Sequence, residues 1–238
     1  MRCLVMLEEQ RDHEDTSSNM ITIHNNEFYT AIMDEDVGSI EDMAKKHGRN
    51  LPIQVQVGEP GNIFWKGPPL HLAASYRRVK SMQNLLSLGA DPGIRDQHGR
   101  TTLHRVMTSW PRTSTPWTKP DSNFQNAVIG ACRKAEACLQ LLCEHGVNVN
   151  AEVERESLET ALHLSVRYAA LFAVQTLTSH GAEVDAVNST GMTPLHMAAG
   201  ILHKDILVNL IKHGADINRV CVVPLFVFGS CRLLIFSQ

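Results

Sequence analysis

The sequence predicts an all-α solenoid of about five helix-turn-helix units with hairpin-like tips, on three observations. First, a Leu-His pair recurs with its leucine at Leu70, Leu103, Leu162 and Leu195, at gaps of 33, 59 and 33 residues. Second, a glycine closes each unit at Gly89, Gly146, Gly181 and Gly214, with gaps of 57, 35 and 33. Third, apolar residues at helical spacing lie between the two markers, as in Ile206, Leu207, Leu210 and Ile211. From leucine to glycine the distance is 19, 43, 19 and 19 residues, so one unit carries 24 extra residues. The loop after it is two residues longer than the others, and together these restore a period of 33.

In chain order, residues 1–24 are polar and acidic and are expected to be mobile. Residues 25–50 contain EFYTAIMDEDVGSIEDMAKKHGRN, which has helical periodicity and ends in His47-Gly48 but lacks the Leu-His pair. They predict a degenerate first unit acting as a cap, followed by a linker over 51–67. Residues 68–219 hold four units. The clearest opens with TPLHMAA, where the Thr193 hydroxyl can cap a helix and Pro194 occupies a first turn that tolerates a missing N–H. Ala198 and Ala199 are small enough for close helix pairing, and Gly214 can end the second helix in the left-handed conformation.

Two segments depart from the repeat. An insertion at about 109–126, SWPRTSTPWTKPDSNFQN, falls between the two helices of the third unit and holds two of three tryptophans and three of ten prolines. Proline makes it extended and stiff, and Trp110 and Trp117 either pack back on the stack or meet a partner. Residues 220–238 form an apolar, non-repeat tail interrupted by Pro224, Gly229 and Arg232. Three readings of it are open: a truncated or alternatively spliced terminus, a strand-like patch over the last helix pair, or a membrane anchor.

TPLHMAA (Thr193 to Ala199) and HGADIN (His213 to Asn218) closely resemble the ankyrin-repeat family. The resemblance implies that His71, His104, His163 and His196 are structural, each ring hydrogen-bonding backbone between neighbouring turns. It implies partner binding at the tips, here Gln97, His98 and Arg100 in the third unit and Ser189, Thr190 and Met192 in the fifth. The concave helix surface adds Tyr76, Arg167 and Tyr168, residue types that anchor interfaces. Trp110 and Trp117 complete the candidate partner-binding set. Asn218, eight residues after Leu210 and preceded by Asp216-Ile217, resembles the pattern an asparaginyl hydroxylase accepts in this family and is a candidate modification site.

A formal net charge of −3 makes no electrostatic case for nucleic acid or an anionic membrane. No run approaches twenty uninterrupted apolar residues, so a spanning helix is not expected. Six cysteines are scattered without zinc-site spacing, which favours a reducing compartment, cytoplasmic or nuclear. Four of the twelve histidines take the Leu-His position and four precede a closing glycine, at 47, 145, 180 and 213; His13, His24 and His98 are too far apart to suggest a metal site. No phosphate-binding glycine loop, His-Glu-x-x-His or Gly-x-Ser-x-Gly occurs. The expectation is a non-catalytic, monomeric protein–protein interaction module, an adaptor or scaffold, with no cofactor and no metal. The alternatives are a membrane-associated protein held by its tail and a substrate-recruiting subunit of a larger enzyme complex.

Overall fold

The computed structural model describes residues 23–24, 26–56, 63–111, 122–153 and 157–220. The stretch 1–22 and the tail from 221 lie outside the described residues. Each unit is a pair of helices. The first unit has α1 (Asn26–Asp34) and α2 (Val37–His47), and the second α3 (Pro69–Ser75) and α4 (Val79–Ser87). The third has α5 (Thr102–Thr108) and α6 (Ser122–Glu144), the fourth α7 (Ala161–Arg167) and α8 (Leu171–Ser179), the fifth α9 (Pro194–Gly200) and α10 (Lys204–Lys212). The odd-numbered helices stack on one another as an inner row and the even-numbered ones as an outer row. One continuous apolar core runs between the rows from Phe28 to Ala215. A helix of seven residues is too short to persist alone in water, so stacking supplies the stability.

Local sequence sets the ends of each pair. Gly89, Gly146, Gly181 and Gly214 all have positive φ, between 69° and 92°, in the turn that stops the outer helix. The joint between inner and outer helices is tighter. There Glu35, Arg77, Ala169 and Leu202, one in each of four units, adopt φ of 52–57° without being glycine. That conformation costs an ordinary residue about 1–2 kcal/mol, which the packing on either side must offset.

Two stretches differ from expectation. The presumed linker 51–67 holds two strands, β2 (Ile53–Gln56) and β3 (Ile63–Gly67), paired antiparallel. A third strand, β1 (Ile23–His24), adds to β2 in parallel, giving the order β1-β2-β3. The reason lies in Ile53-Gln-Val-Gln-Val, whose period-two alternation suits a half-buried strand; Ile53 is fully buried, and β2 packs on α1. The insertion differs too. Residues from Ser122 onward belong to α6, which runs 23 residues where α4, α8 and α10 have nine. Ser122–Ala137 contains no proline and is rich in good helix formers, so much of the extra length extends the outer helix by nearly four turns.

Candidate interaction surface

The Leu-His histidines are the framework on which the surface rests. Thr101, Thr160 and Thr193 each precede their histidine by three residues at a helix N-terminus. The threonine backbone N–H donates to the histidine Nδ1 at 3.2, 3.2 and 3.1 Å, and the threonine hydroxyl lies 2.8–2.9 Å from the same nitrogen. An atom accepting from a backbone N–H carries no proton, so these rings are neutral with the proton on Nε2. That N–H then donates to a carbonyl further along the chain: Glu159 for His104 (3.3 Å), Met192 for His163 (3.2 Å) and Arg219 for His196 (2.9 Å). His71 donates likewise to Ile94 at 3.0 Å, but Pro68 stands where the threonine should be. Proline has neither N–H nor hydroxyl, and the buried His71 Nδ1 is left without a partner. Burial is the largest influence on three of these rings. It pushes His71 and His104 down to about 4 and lowers His163, because the imidazolium would lose its hydration.

The tips are built on a buried acceptor that the repeat pattern did not reveal. In the third unit Asp96 accepts from the N–H of His98 and of Arg100, both at 2.9 Å. Its other oxygen pairs with Arg100 Nε at 3.2 Å and Arg105 Nη2 at 2.6 Å. Burial alone would raise this carboxyl, yet Arg105, the bound N–H groups and Arg100 hold it below the ordinary value. Asn188 does the same work in the fifth unit, accepting from the N–H groups of Thr190 and Met192 at 3.0 Å each. The outcome at the surface is similar in both: Gln97, Ser189 and Thr190 are exposed, while His98, Arg100 and Met192 are half-buried. Arg95 braces the third tip to the next unit, donating to the carbonyls of Gly99 and Glu152 at 2.6 Å each. An Asp or Asn two and four residues before the groups it caps was the available sequence signal.

On the concave side Tyr76 is half-buried and meets Tyr29 edge-to-face, ring centroids 6.5 Å apart. Arg167 is exposed and ion-pairs with the buried Glu159, and Tyr168 beside it is half-buried. Two further residues belong here. Arg105 shares its helix position with Leu72, Leu164 and Met197, so a charge in an apolar column marked it in the sequence. Its guanidinium lies 5.2 Å from the ring centre of Trp65, which β3 brings across from the hairpin. The hairpin therefore reaches the concave side of the second and third units, while Arg167, Tyr168, Gly200 and the half-exposed Ile201 carry the surface onward.

Trp110 is corrected. It is 8% exposed and joins the core cluster, its backbone N–H donating to the Met107 carbonyl at 3.0 Å in the turn that ends α5. Trp117 lies outside the described residues. Asn218 is exposed, with its N–H on Asp216 Oδ1 at 2.9 Å. Equivalent side chains upstream bridge units: Asn50 accepts from Asp91 N–H (2.9 Å), Asn150 from Glu183 (2.8 Å) and Asp185 from Asp216 (3.1 Å). Burial raises Cys138 to about 12 and Cys143 to about 11, which suits core packing and not nucleophilic chemistry.

Models of ankyrin repeats match the chain twice, as a three-copy array over residues 133–221 and a single repeat over 68–97, together half of its length. The chain is 31% identical over 171 residues to the nuclear factor NF-kappa-B p105 subunit of Gallus gallus, covering 66% of this chain and 17% of that protein. It is 29% identical over 185 residues to the B-cell lymphoma 3 protein homolog of Mus musculus, covering 71% of this chain and 40% of that one. It is also 29% identical over 147 residues to neurogenic locus notch homolog protein 1 of Cricetulus griseus, covering 62% and 5%. The chain thus spans well under two thirds of the length of each of these curated relatives.

Proposed function

The chain belongs to the ankyrin-repeat family, and on that basis we propose that it is a non-catalytic protein–protein interaction module, an adaptor or scaffold for another protein. One observation carries this reading. The histidines and buried carboxylates that would suggest chemistry are occupied in holding tips and units together, while Gln97, Ser189, Thr190 and Arg167 are exposed at the tips and concave face. Gln97, Ser189 and Thr190 at the tips, with Arg167 and Tyr168 on the concave face, form the contact set. A polar edge beside an aromatic and an arginine suits an anchored protein interface. Such a module works as a monomer in the cytosol or nucleus and needs no cofactor. No helix among the described residues is long and apolar enough to cross a membrane.

Within the family the chain also resembles ankyrin repeat domain-containing protein 61, through YTAIMDED (Tyr29 to Asp36) and SWPRTSTPWTKP (Ser109 to Pro120). That resemblance supplies a relative and no mechanism. Hydroxylation of Asn218 is compatible with its exposure at the end of the described stack.

The test is affinity capture from cells with the full chain and with a variant carrying Gln97→Ala and Ser189→Ala, two side chains exposed at the tips. Arg167 is left in place because it pairs with the buried Glu159. The variant keeps its helical content and melting temperature. Loss of a reproducible partner by the variant supports the reading. Equal capture by both proteins overturns this choice of surface.

A further inference from the structure

Five non-glycine residues among those described have φ in the left-handed region. Four of them, Glu35, Arg77, Ala169 and Leu202, occupy the same joint in different units, so the repeat itself explains them. The fifth, Leu158 with φ of 49°, lies in the tip that leads into α7. Two residues before the capping threonine stand Gly99 in the third unit, Gly191 in the fifth and Leu158 in the fourth. The two glycines have φ of 70° and 74°. The turn takes a left-handed residue at this place, and the fourth unit supplies a branched apolar side chain where glycine would do.

Left-handed backbone under a leucine lowers the folding constant about five- to thirtyfold. Burial does not offset that cost, because Leu158 is 43% exposed and stands outside the core cluster. At the equivalent Gly191 an added Cβ would meet no atom within 4 Å beyond its chain neighbours, so the position faces open space. A second apolar side chain is held on the neighbouring tip, where Val187 is 41% exposed. The Ser189 N–H donates to the Ser157 carbonyl at 2.8 Å and ties the two tips together. Leu158 is one residue from that tie and Val187 two. Ser189 and Thr190 are exposed beside it, and Val187 to Met192 carries no charge. Apolar side chains inside an uncharged polar rim suit the centre of a protein interface.

Resting on the interaction-module reading above, we propose that Leu158 and Val187 form an apolar anchor on the tip edge, which takes an apolar side chain of a partner protein. Strain that folding does not reward is kept where binding rewards it. Leu158 then sets the partner preference of this edge, which the glycines of the other two tips cannot do.

The test uses peptides selected from a random display library against the full chain, and the variants Leu158→Asn and Leu158→Met. Asparagine tolerates left-handed backbone, so Leu158→Asn should keep or raise the urea midpoint. Its affinity for the selected peptides, read by fluorescence anisotropy, should fall at least about tenfold, while Leu158→Met stays within about twofold of wild type. The peptides should share an apolar residue whose replacement by serine costs the same factor. Equal affinity of wild type and Leu158→Asn overturns the proposal. If Gln97→Ala, Ser189→Ala abolishes that same binding, the interaction module stands and only the apolar anchor falls. A urea midpoint lowered in Leu158→Asn would make Leu158 a packing residue and overturn the anchor equally. Wild-type dimers by sedimentation, lost in Leu158→Asn, would assign the pair to a second copy with the same consequence. A selection that enriches no peptide overturns both readings.

Discussion

Acid should unfold this protein through its buried histidines well before its carboxylates matter. His71 and His104 are held at about 4 in the folded chain, against about 6.5 for a free ring. A base with a lower folded than unfolded pKa is bound by more protons in the unfolded state, so stability rises with pH. The contribution is complete above about pH 6.5 and is lost as pH falls toward 4. At pH 5 the linkage amounts to about 2 kcal/mol for each ring, or about 4 kcal/mol for the pair. His163 is lowered in the same direction and adds to it. The geometry explains the sign: a proton on His104 Nδ1 would face the Thr101 N–H that now donates to it. Asp36 and Asp96, lowered instead, lose their contribution only below the ordinary carboxylate range, outside this window. With a urea slope of about 2 kcal/mol/M, the midpoint should fall by about 2 M between pH 7.5 and pH 5. Circular dichroism of urea titrations at the two pH values measures it. The variant His71→Gln, His104→Gln should be weaker at pH 7.5 but far flatter with pH. A wild-type midpoint that is the same at both pH values, or an equal slope in the variant, refutes the reasoning.

The orphaned His71 Nδ1 predicts that Pro68→Thr stabilises the chain. It restores the N–H and hydroxyl found in the other units, worth about 1 kcal/mol, visible as a higher urea midpoint. Ala169 has φ of 52° and is exposed, so Ala169→Gly should raise stability by about 0.5–1 kcal/mol, the relief of left-handed strain less the entropy of glycine. Thermal denaturation showing a loss instead would mean that the joint is not strained. Trp110→Ala should cost about 3–5 kcal/mol, as for a core aromatic, and quench a buried fluorescence component. A neutral effect would place that ring on the surface after all.

The helix pairs were legible because four of the five units repeat three constraints that chemistry makes hard to replace: a leucine for the core, a histidine for the bridge and a glycine for the left-handed stop. The hairpin was missed because it sits outside the repeat, where period-33 reasoning has nothing to compare. Ile53-Gln-Val-Gln-Val carries its own period of two, and a single alternating strand is a weaker signal than four copies of a motif. The insertion drew attention to its prolines and tryptophans, yet its later half obeys ordinary helix propensity and prolongs α6. Arg105 and Asp96 were hidden differently. Neither is unusual alone, and only tertiary contact joins an arginine on α5, a carboxylate in the tip and Trp65 from β3.

That joining also explains how the chain tolerates so large an interruption. Every inter-unit histidine bond reaches forward, from one unit's inner helix to backbone at the start of the next: His71 to Ile94, His104 to Glu159, His163 to Met192. The extra residues of the third unit lie after α5, in the joint and in the N-terminal extension of α6, and His104 finds its carbonyl beyond them as though they were absent. Closing a longer loop adds only a slowly growing entropy cost, roughly 0.6 kcal/mol per doubling, so the bond survives. The joints and the tips lie at opposite ends of the short inner helices. Length can therefore accumulate at one end while the other keeps a fixed spacing of tips, each shaped by its own Asp96 or Asn188. Tip geometry is thereby decoupled from insertions, which is what the proposed binding edge requires of the fold.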